Sequence, residues 1–170
     1  MKSRLVVLAA AVLIAWGLKR HYADASTDDL LWILNPTARL VGLVSGATFV
    51  FQPGEGYLSR EHLFLIEKSC AGINFMIAAF GMLVFSLFNH LGSGMSTATV
   101  LGVSLLAGYS AAVVVNTARI ALAMWLAVHP IAALSAADVH RLEGIAVYFG
   151  GLVLLHEAVG RAFQSRRGLR

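Results

Sequence analysis

The stretch Ala71-Gly72-Ile73-Asn74-Phe75-Met76-Ile77-Ala78-Ala79-Phe80-Gly81-Met82-Leu83-Val84-Phe85-Ser86-Leu87-Phe88-Asn89-His90-Leu91 holds no charged side chain. About 20 mostly apolar residues in a helix cross the hydrocarbon layer of a bilayer, so this run predicts a membrane span. Two more runs meet the same standard. Thr97 to Val128 is apolar apart from Asn116 and Arg119, and is longer than one span needs. Gly144 to Val159, extended back to Val139, is apolar up to His156 and Glu157. The whole composition agrees. Of 170 residues, 58% are hydrophobic and 13% charged, with a mean hydropathy of +0.76. A soluble domain carries about a quarter charged residues. Disorder is excluded and an ordinary soluble domain disfavoured.

The first apolar run, Leu5 to Leu18, is shorter and is flanked by Lys2, Arg4, Lys19 and Arg20. It reads as a short span or a secretory signal, with Ala23-Asp24-Ala25 as a small-residue cleavage site. A retained span is favoured, because a charged pair between apolar run and cleavage site opposes processing. Both readings export the residues C-terminal to this run. Lys2, Arg4, Arg161, Arg166, Arg167 and Arg170 put both ends on the cytoplasmic side. Lys19, Arg20, Arg39, Arg60 and Lys68 fall outside and weigh against that orientation. The fold class expected is an all-α polytopic membrane protein of about four transmembrane helices. An external segment adds an interfacial helix and a small β-hairpin. The parts are a first span or signal-like segment over 1–20, the external segment over 21–69, a helical core over 70–160 and a basic cytoplasmic tail over 161–170, all one domain.

Within the external segment, Asp28 and Asp29 stand where a helix start favours acids. Leu30 to Ser45, interrupted by Asn35-Pro36, predicts one or two interfacial helices or a re-entrant piece. Gly42-x-x-x-Gly46 offers a weak close-contact motif. Thr48 to Gln52, the turn Pro53-Gly54-Glu55-Gly56, Tyr57-Leu58 and Leu63 to Ile66 predict a hairpin with a third strand. Asn89, His90 and Gly92-Ser93-Gly94 mark an inner loop. Trp16, Trp32 and Trp125 fit an aromatic belt, and His156 and Glu157 read as interface anchors.

Depth brings three chemical groups to one level. Cys70 begins the second span at its outer end. Arg119 lies 22 residues after Thr97, roughly 33 Å along a helix from the inner face. His140 begins the last span, again outside. Each has a bland reading: a lone Cys is a small hydrophobe, a boundary Arg snorkels, and a boundary His is ordinary. The context favours chemistry. Cys70 stands close to a helix N-terminus with Lys68 nearby, which favours thiolate. An Arg in an apolar run costs about 2.5–3.5 kcal/mol on insertion scales and marks function. Asn116 shares its face one turn earlier. Asp138 and Glu143 both stand within reach of His140, and spacing selects neither.

Glu67-Lys68-Ser69-Cys70-Ala71-Gly72-Ile73-Asn74, Asn116-Thr117-Ala118-Arg119 and His140-Arg141-Leu142-Glu143-Gly144 resemble, in order, the motifs of the exosortase/archaeosortase family. The resemblance covers about Asp29 to Leu155. Gly56-Tyr57-Leu58-Ser59 and the short chain look most like the exosortase K branch. It implies a membrane-embedded cysteine transpeptidase or peptidase in a bacterial inner membrane, with its site facing the periplasm or exterior. The implied substrates are exported proteins with a C-terminal Pro-Glu-Pro-type motif, transmembrane helix and basic tail, often tied to exopolysaccharide production. Cys70, Arg119 and His140 are the implied catalytic residues, with Ser69, Gly72, Asn116 and Glu143 in support. The partners are these exported proteins, membrane lipid and an unidentified acceptor nucleophile. Many members carry more spans than this chain does.

No cofactor or metal is expected, since no His/Cys pair stands at helical ligand spacing. A site from His62, Cys70, His129 and His140 is the metal rival. The single cysteine excludes an intrachain disulfide, and the chain lacks the basic, aromatic-interleaved run of a nucleic-acid binder. The other rival is a non-enzymatic transporter or assembly protein with a polar path at Arg119 and His140. Gly81, Gly102 and Gly108 serve either a docking groove or helix packing.

Overall fold

A computed structural model describes residues 2–88, 95–129 and 135–167, without the side chains of 2, 3, 136 and 163–167. The inner loop expected around Asn89, His90 and Gly92-Ser93-Gly94 lies outside the described residues, as do Arg170 and the side chains of Lys2, Arg166 and Arg167. Helices dominate. They are α1 (Lys2–Asp24), α2 (Leu31–Ser45), α3 (Ile73–Leu87), α4 (Thr97–Val128) and α5 (Ala136–Arg167). Short 3-10 turns cover Asp28–Leu30 and Lys68–Cys70, and strands β1 (Val50–Gln52), β2 (Gly56–Ser59) and β3 (Phe64–Ile66) fall between α2 and α3. Four helical stretches are long and apolar enough to cross a membrane: Arg4–Asp24, Lys68–Leu87, Thr97–Val128 and Ala137–Ala162.

The first of these is longer than the apolar run alone suggests. Helix α1 continues through Lys19 and Arg20 to Asp24, because straight-chain Lys and Arg lose little freedom in a helix and nothing before Asp24 breaks it.

The chain divides into two compact units, Met1–His21 with Ile73–Ala112 and Gly150–Arg170, and Tyr22–Gly72 with Val113–Phe149. The first is held by apolar packing. Val7, Ala11, Phe80, Val84, Leu87 and Val100 form its buried cluster, with Ile14, Phe88 and Leu105 against it. Gly108 lets α4 meet α3 closely: a Cβ there would stand 3.2 Å from the Phe80 nitrogen. Gly108 is thus a packing residue, while Gly81 and Gly102 face open space. Lys19 Nζ donates to Asn74 Oδ1 at 2.7 Å, and the Arg4 guanidinium lies over the Phe88 ring at 5.4 Å.

The second unit carries α2 and the three strands. Ser26 and Asp29 cap each other's backbone: Ser26 N–H donates to Asp29 Oδ2 at 2.8 Å, and Asp29 N–H to Ser26 Oγ at 3.3 Å. Asp28 does a second job, accepting the Gly54 N–H at 2.9 Å and so anchoring the hairpin turn. Helix α2 is one helix through Pro36. Pro36 costs it one backbone rung, and Thr37 Oγ1 bonds back to the Ile33 carbonyl at 2.8 Å. It ends where the Gly46 N–H reaches the Gly42 carbonyl at 2.9 Å. The two glycines of the weak motif therefore finish a helix and do not join two.

The sheet is antiparallel in the order β1-β2-β3, with Phe51 opposite Tyr57 and Leu58 opposite Leu65. Its first turn is Gln52-Pro53-Gly54-Glu55. The Glu55 N–H reaches the Gln52 carbonyl at 3.1 Å, and Gly54 has φ +81°. Proline then glycine is what a type II turn asks for.

Candidate active site

Every residue of the candidate site belongs to the second unit. Strand β3 runs through the extended Glu67 into the 3-10 turn Lys68–Cys70. The Cys70 N–H closes that turn on the Glu67 carbonyl at 2.8 Å. Ser69 Oγ donates to Glu67 Oε1 at 2.8 Å and stands 3.8 Å from Cys70 Sγ. Lys68, expected to add positive charge near the thiol, also tethers the turn. Its ammonium donates to the carbonyls of Ala25 at 2.7 Å and Ala23 at 3.2 Å, and sits over the Tyr22 ring. Cys70 is half-buried. Two residues, Ala71 and Gly72, separate it from the first residue of α3.

Gly72 has φ +67°, a conformation L side chains resist. A Cβ there would also press to 3.1 Å from Asn116 Cγ. Its bare backbone therefore admits Asn116, which is fully buried. Asn116 Nδ2 donates to the Cys70 carbonyl. Its Oδ1 accepts from the Tyr148 hydroxyl at 2.9 Å, so both ends of the amide are used.

Arg119 follows one turn later on α4. Its Nη1 donates to the Tyr148 hydroxyl at 3.3 Å, and its guanidinium carbon lies 5.3 Å from that ring's centre. Its Nη2 meets His140 Nε2 at 3.0 Å. Its Nε is 3.9 Å from Glu143 Oε1. The other Glu143 oxygen is 3.7 Å from His140 Nδ1. A guanidinium has only donors, so the Arg119 contact requires an unprotonated His140 Nε2. In the neutral imidazole the proton then sits on Nδ1, facing the carboxylate. His140 is exposed, whereas the Glu143 side chain is only 3% exposed. A carboxylate that deep needs a cation beside it, and Arg119 supplies it.

Three sequence expectations sharpen here. Arg119 and His140 meet directly. Cys70 joins them through its carbonyl, by way of Asn116, Tyr148 and Arg119. Between the two acids near His140, Glu143 is the one that faces the imidazole. Asp138 instead caps α5: Ser135 Oγ donates to Asp138 Oδ2 at 2.6 Å, and Asp138 N–H donates to Ser135 Oγ at 3.2 Å.

Tyr148 is the residue that motif reading missed. The signal was present, since positions 140, 144 and 148 fall four apart on one face of α5. Gly144 between them leaves room for the arginine, whose Nε would lie 3.5 Å from a Cβ at that position.

Among the described residues no group of three His, Cys, Asp or Glu side chains gathers as a metal site would. His62 and His129 line another pocket of about 390 Å³, with Met124 and Trp125, and do not join Cys70 and His140. What the site can do chemically is hold a cation and an imidazole together, linked by hydrogen bonds to the backbone carbonyl of the residue that carries the thiol. No family model matches this chain, and no curated protein or solved structure matches it either.

Proposed function

We propose that this chain is an exosortase-like cysteine transpeptidase or peptidase of a bacterial inner membrane. It would act on exported proteins that end in a membrane helix, at a site facing the exterior. The observation that carries the reading is the hydrogen-bonded chain from the Cys70 turn through Asn116, Tyr148 and Arg119 to His140, with the Glu143 carboxylate 3.7 Å beyond the imidazole. Apolar spans gain nothing from such a chain as mere filler, because intramembrane polar groups are costly and mark function.

The chemistry follows from the residue types. Cys70 Sγ gives its proton to His140 and attacks the scissile carbonyl carbon. The carbonyl π electrons move onto oxygen, and Arg119 stabilises that oxyanion. In the free site Arg119 Nη2 rests on His140 Nε2, so the scissile carbonyl oxygen, on docking and before attack, takes over that donor. The exchange frees the imidazole lone pair for the thiol proton. Glu143 holds the Nδ1 side of the ring through both steps. Collapse of the tetrahedral adduct expels the amine, which leaves with the proton from His140. A thioacyl-enzyme remains. An acceptor amine or hydroxyl, or water, then gives its proton to His140, bonds the acyl carbon and releases the Cys70 thiolate, which the proton returns to thiol. A substrate that is itself a membrane helix accounts for placing this chemistry at the ends of spans.

The test is co-expression with exported proteins carrying C-terminal helical tails. Processing is expected with the wild-type chain and lost separately in Cys70→Ala, Arg119→Ala and His140→Ala. Processing that persists in Cys70→Ala overturns the nucleophile. Mass analysis of the released chain separates hydrolysis, which leaves a free carboxylate, from transfer.

A further inference from the structure

In the second unit a groove of about 750 Å³ opens between α2 and the β1–β2 hairpin, a volume in the range of small-ligand sites. Gly42 forms part of its wall: a Cβ there would lie 3.0 Å from the Ala47 carbonyl oxygen and 3.8 Å from the Phe49 ring. Phe51 and Tyr57 contribute a tilted ring pair with centres 5.4 Å apart. Arg39 is the only charged residue lining it. Arg39 is exposed and has no hydrogen bond, ion pair or ring contact among the described residues.

Two features say what would fill such a groove. The first is a lone cation above an aromatic wall, which calls for an anion attached to an apolar body. The second is the surroundings. Leu43 is 80% exposed, Val44 69% and Val50 58%. Water is a poor neighbour for that surface and hydrocarbon a good one. The same chain has four helices able to cross a membrane, so acyl chains are the apolar material at hand. A peptide fits less well, because Asn35 and Thr48 are the only uncharged side-chain amide and aliphatic hydroxyl in the lining to meet its backbone.

We propose that this groove is a binding site for an anionic phospholipid, with the phosphate on Arg39 and the glycerol and first acyl carbons against Phe49 and Phe51. The site stands apart from the candidate active site and does not depend on the reaction proposed there. It selects for net negative charge, since a zwitterionic headgroup brings its own cation to compete with Arg39.

The full-length chain, purified in an uncharged detergent, is titrated with phosphatidylglycerol and with phosphatidylcholine of the same acyl chains. Bound molecules are counted by native mass spectrometry. One phosphatidylglycerol is expected to bind at least about fivefold more tightly than phosphatidylcholine. Arg39→Gln reduces its affinity to that of phosphatidylcholine, and Gly42→Leu, which fills the groove, weakens both. Circular dichroism verifies that each variant keeps its helix content. Equal binding of the two lipids by the wild-type chain overturns the proposal without any variant. So does an unchanged preference in a folded Arg39→Gln. Displacement of the lipid by inorganic phosphate at similar concentration reduces the site to an anion contact, and displacement by an acidic peptide gives the groove to a different partner; either result overturns it.

Discussion

The two units of this chain solve the same problem with opposite materials. The first buries Val7, Phe80, Val84, Leu87 and Val100 against one another and relies on shape. The second places Asn116 and Glu143 in its interior, the amide hydrogen-bonded to Tyr148 and the Cys70 carbonyl and the carboxylate set beside the charge of Arg119. Between helices in lipid, apolar burial gives little net drive, and close packing has to hold them together. Packing tolerates exchange among apolar side chains of one size. A polar relay does not, because each hydrogen bond in it needs a donor and an acceptor at fixed positions. The difference is one of constraint: the first unit fixes volume, and the second fixes chemical identity.

The sharpest break is Cys70→Ala. On the proposed reading it removes processing completely and eliminates any covalent thioacyl species on a denaturing gel. Asn116 binds the Cys70 carbonyl rather than its thiol, so thermal unfolding should barely move. Next comes Arg119→Lys. A lysine keeps the charge but cannot reach Tyr148, His140 and Glu143 together. Loss of a fixed oxyanion donor predicts a drop of about 10²–10³ in single-turnover processing rate.

Both residues stand out in the sequence, Cys70 as a lone thiol and Arg119 as a charge inside an apolar run. Depth arithmetic put Arg119 and His140 at one level, and their direct contact came only with the structure. The hairpin was legible too, because Pro53-Gly54 imposes a turn whatever surrounds it. The length of α1 was not, because apolar counting stops at Lys19 although a helix does not. Nor was the choice of Glu143 over Asp138. Both lie within a turn of His140, and only the cap made with Ser135 removes Asp138 from the competition. Tyr148 escaped because a tyrosine in an apolar run looks like packing until its hydroxyl has partners.

Gly108→Leu probes the shape-held side. Its new side chain meets the Phe80 backbone, and overpacking of this kind costs about 1–3 kcal/mol. Unfolding in mixed detergent should show the loss, while the folded fraction keeps its processing rate. Tyr148→Phe probes the relay with a single atom. The ring stays under Arg119, but Asn116 Oδ1 loses its donor and Arg119 Nη1 its acceptor. About 1–2 kcal/mol follows from the missing hydrogen bonds, read as a roughly tenfold slower single-turnover rate. The smallest effect belongs to Ser104→Ala. Ser104 is buried in the first unit and its hydroxyl has no hydrogen-bond partner among the described residues. Removing it should leave stability within about 0.5 kcal/mol of the wild type or raise it slightly, because no bond is lost. A large loss there would show that the apolar unit hides a polar dependence of its own.

The chain has one sulfhydryl, at Cys70, and it is half-buried in a turn. A maleimide therefore marks a single address with no background to subtract. Applied to sealed cells, a reagent that cannot pass the bilayer reads which compartment that turn faces, and its labelling rate reports how freely the turn admits a visitor.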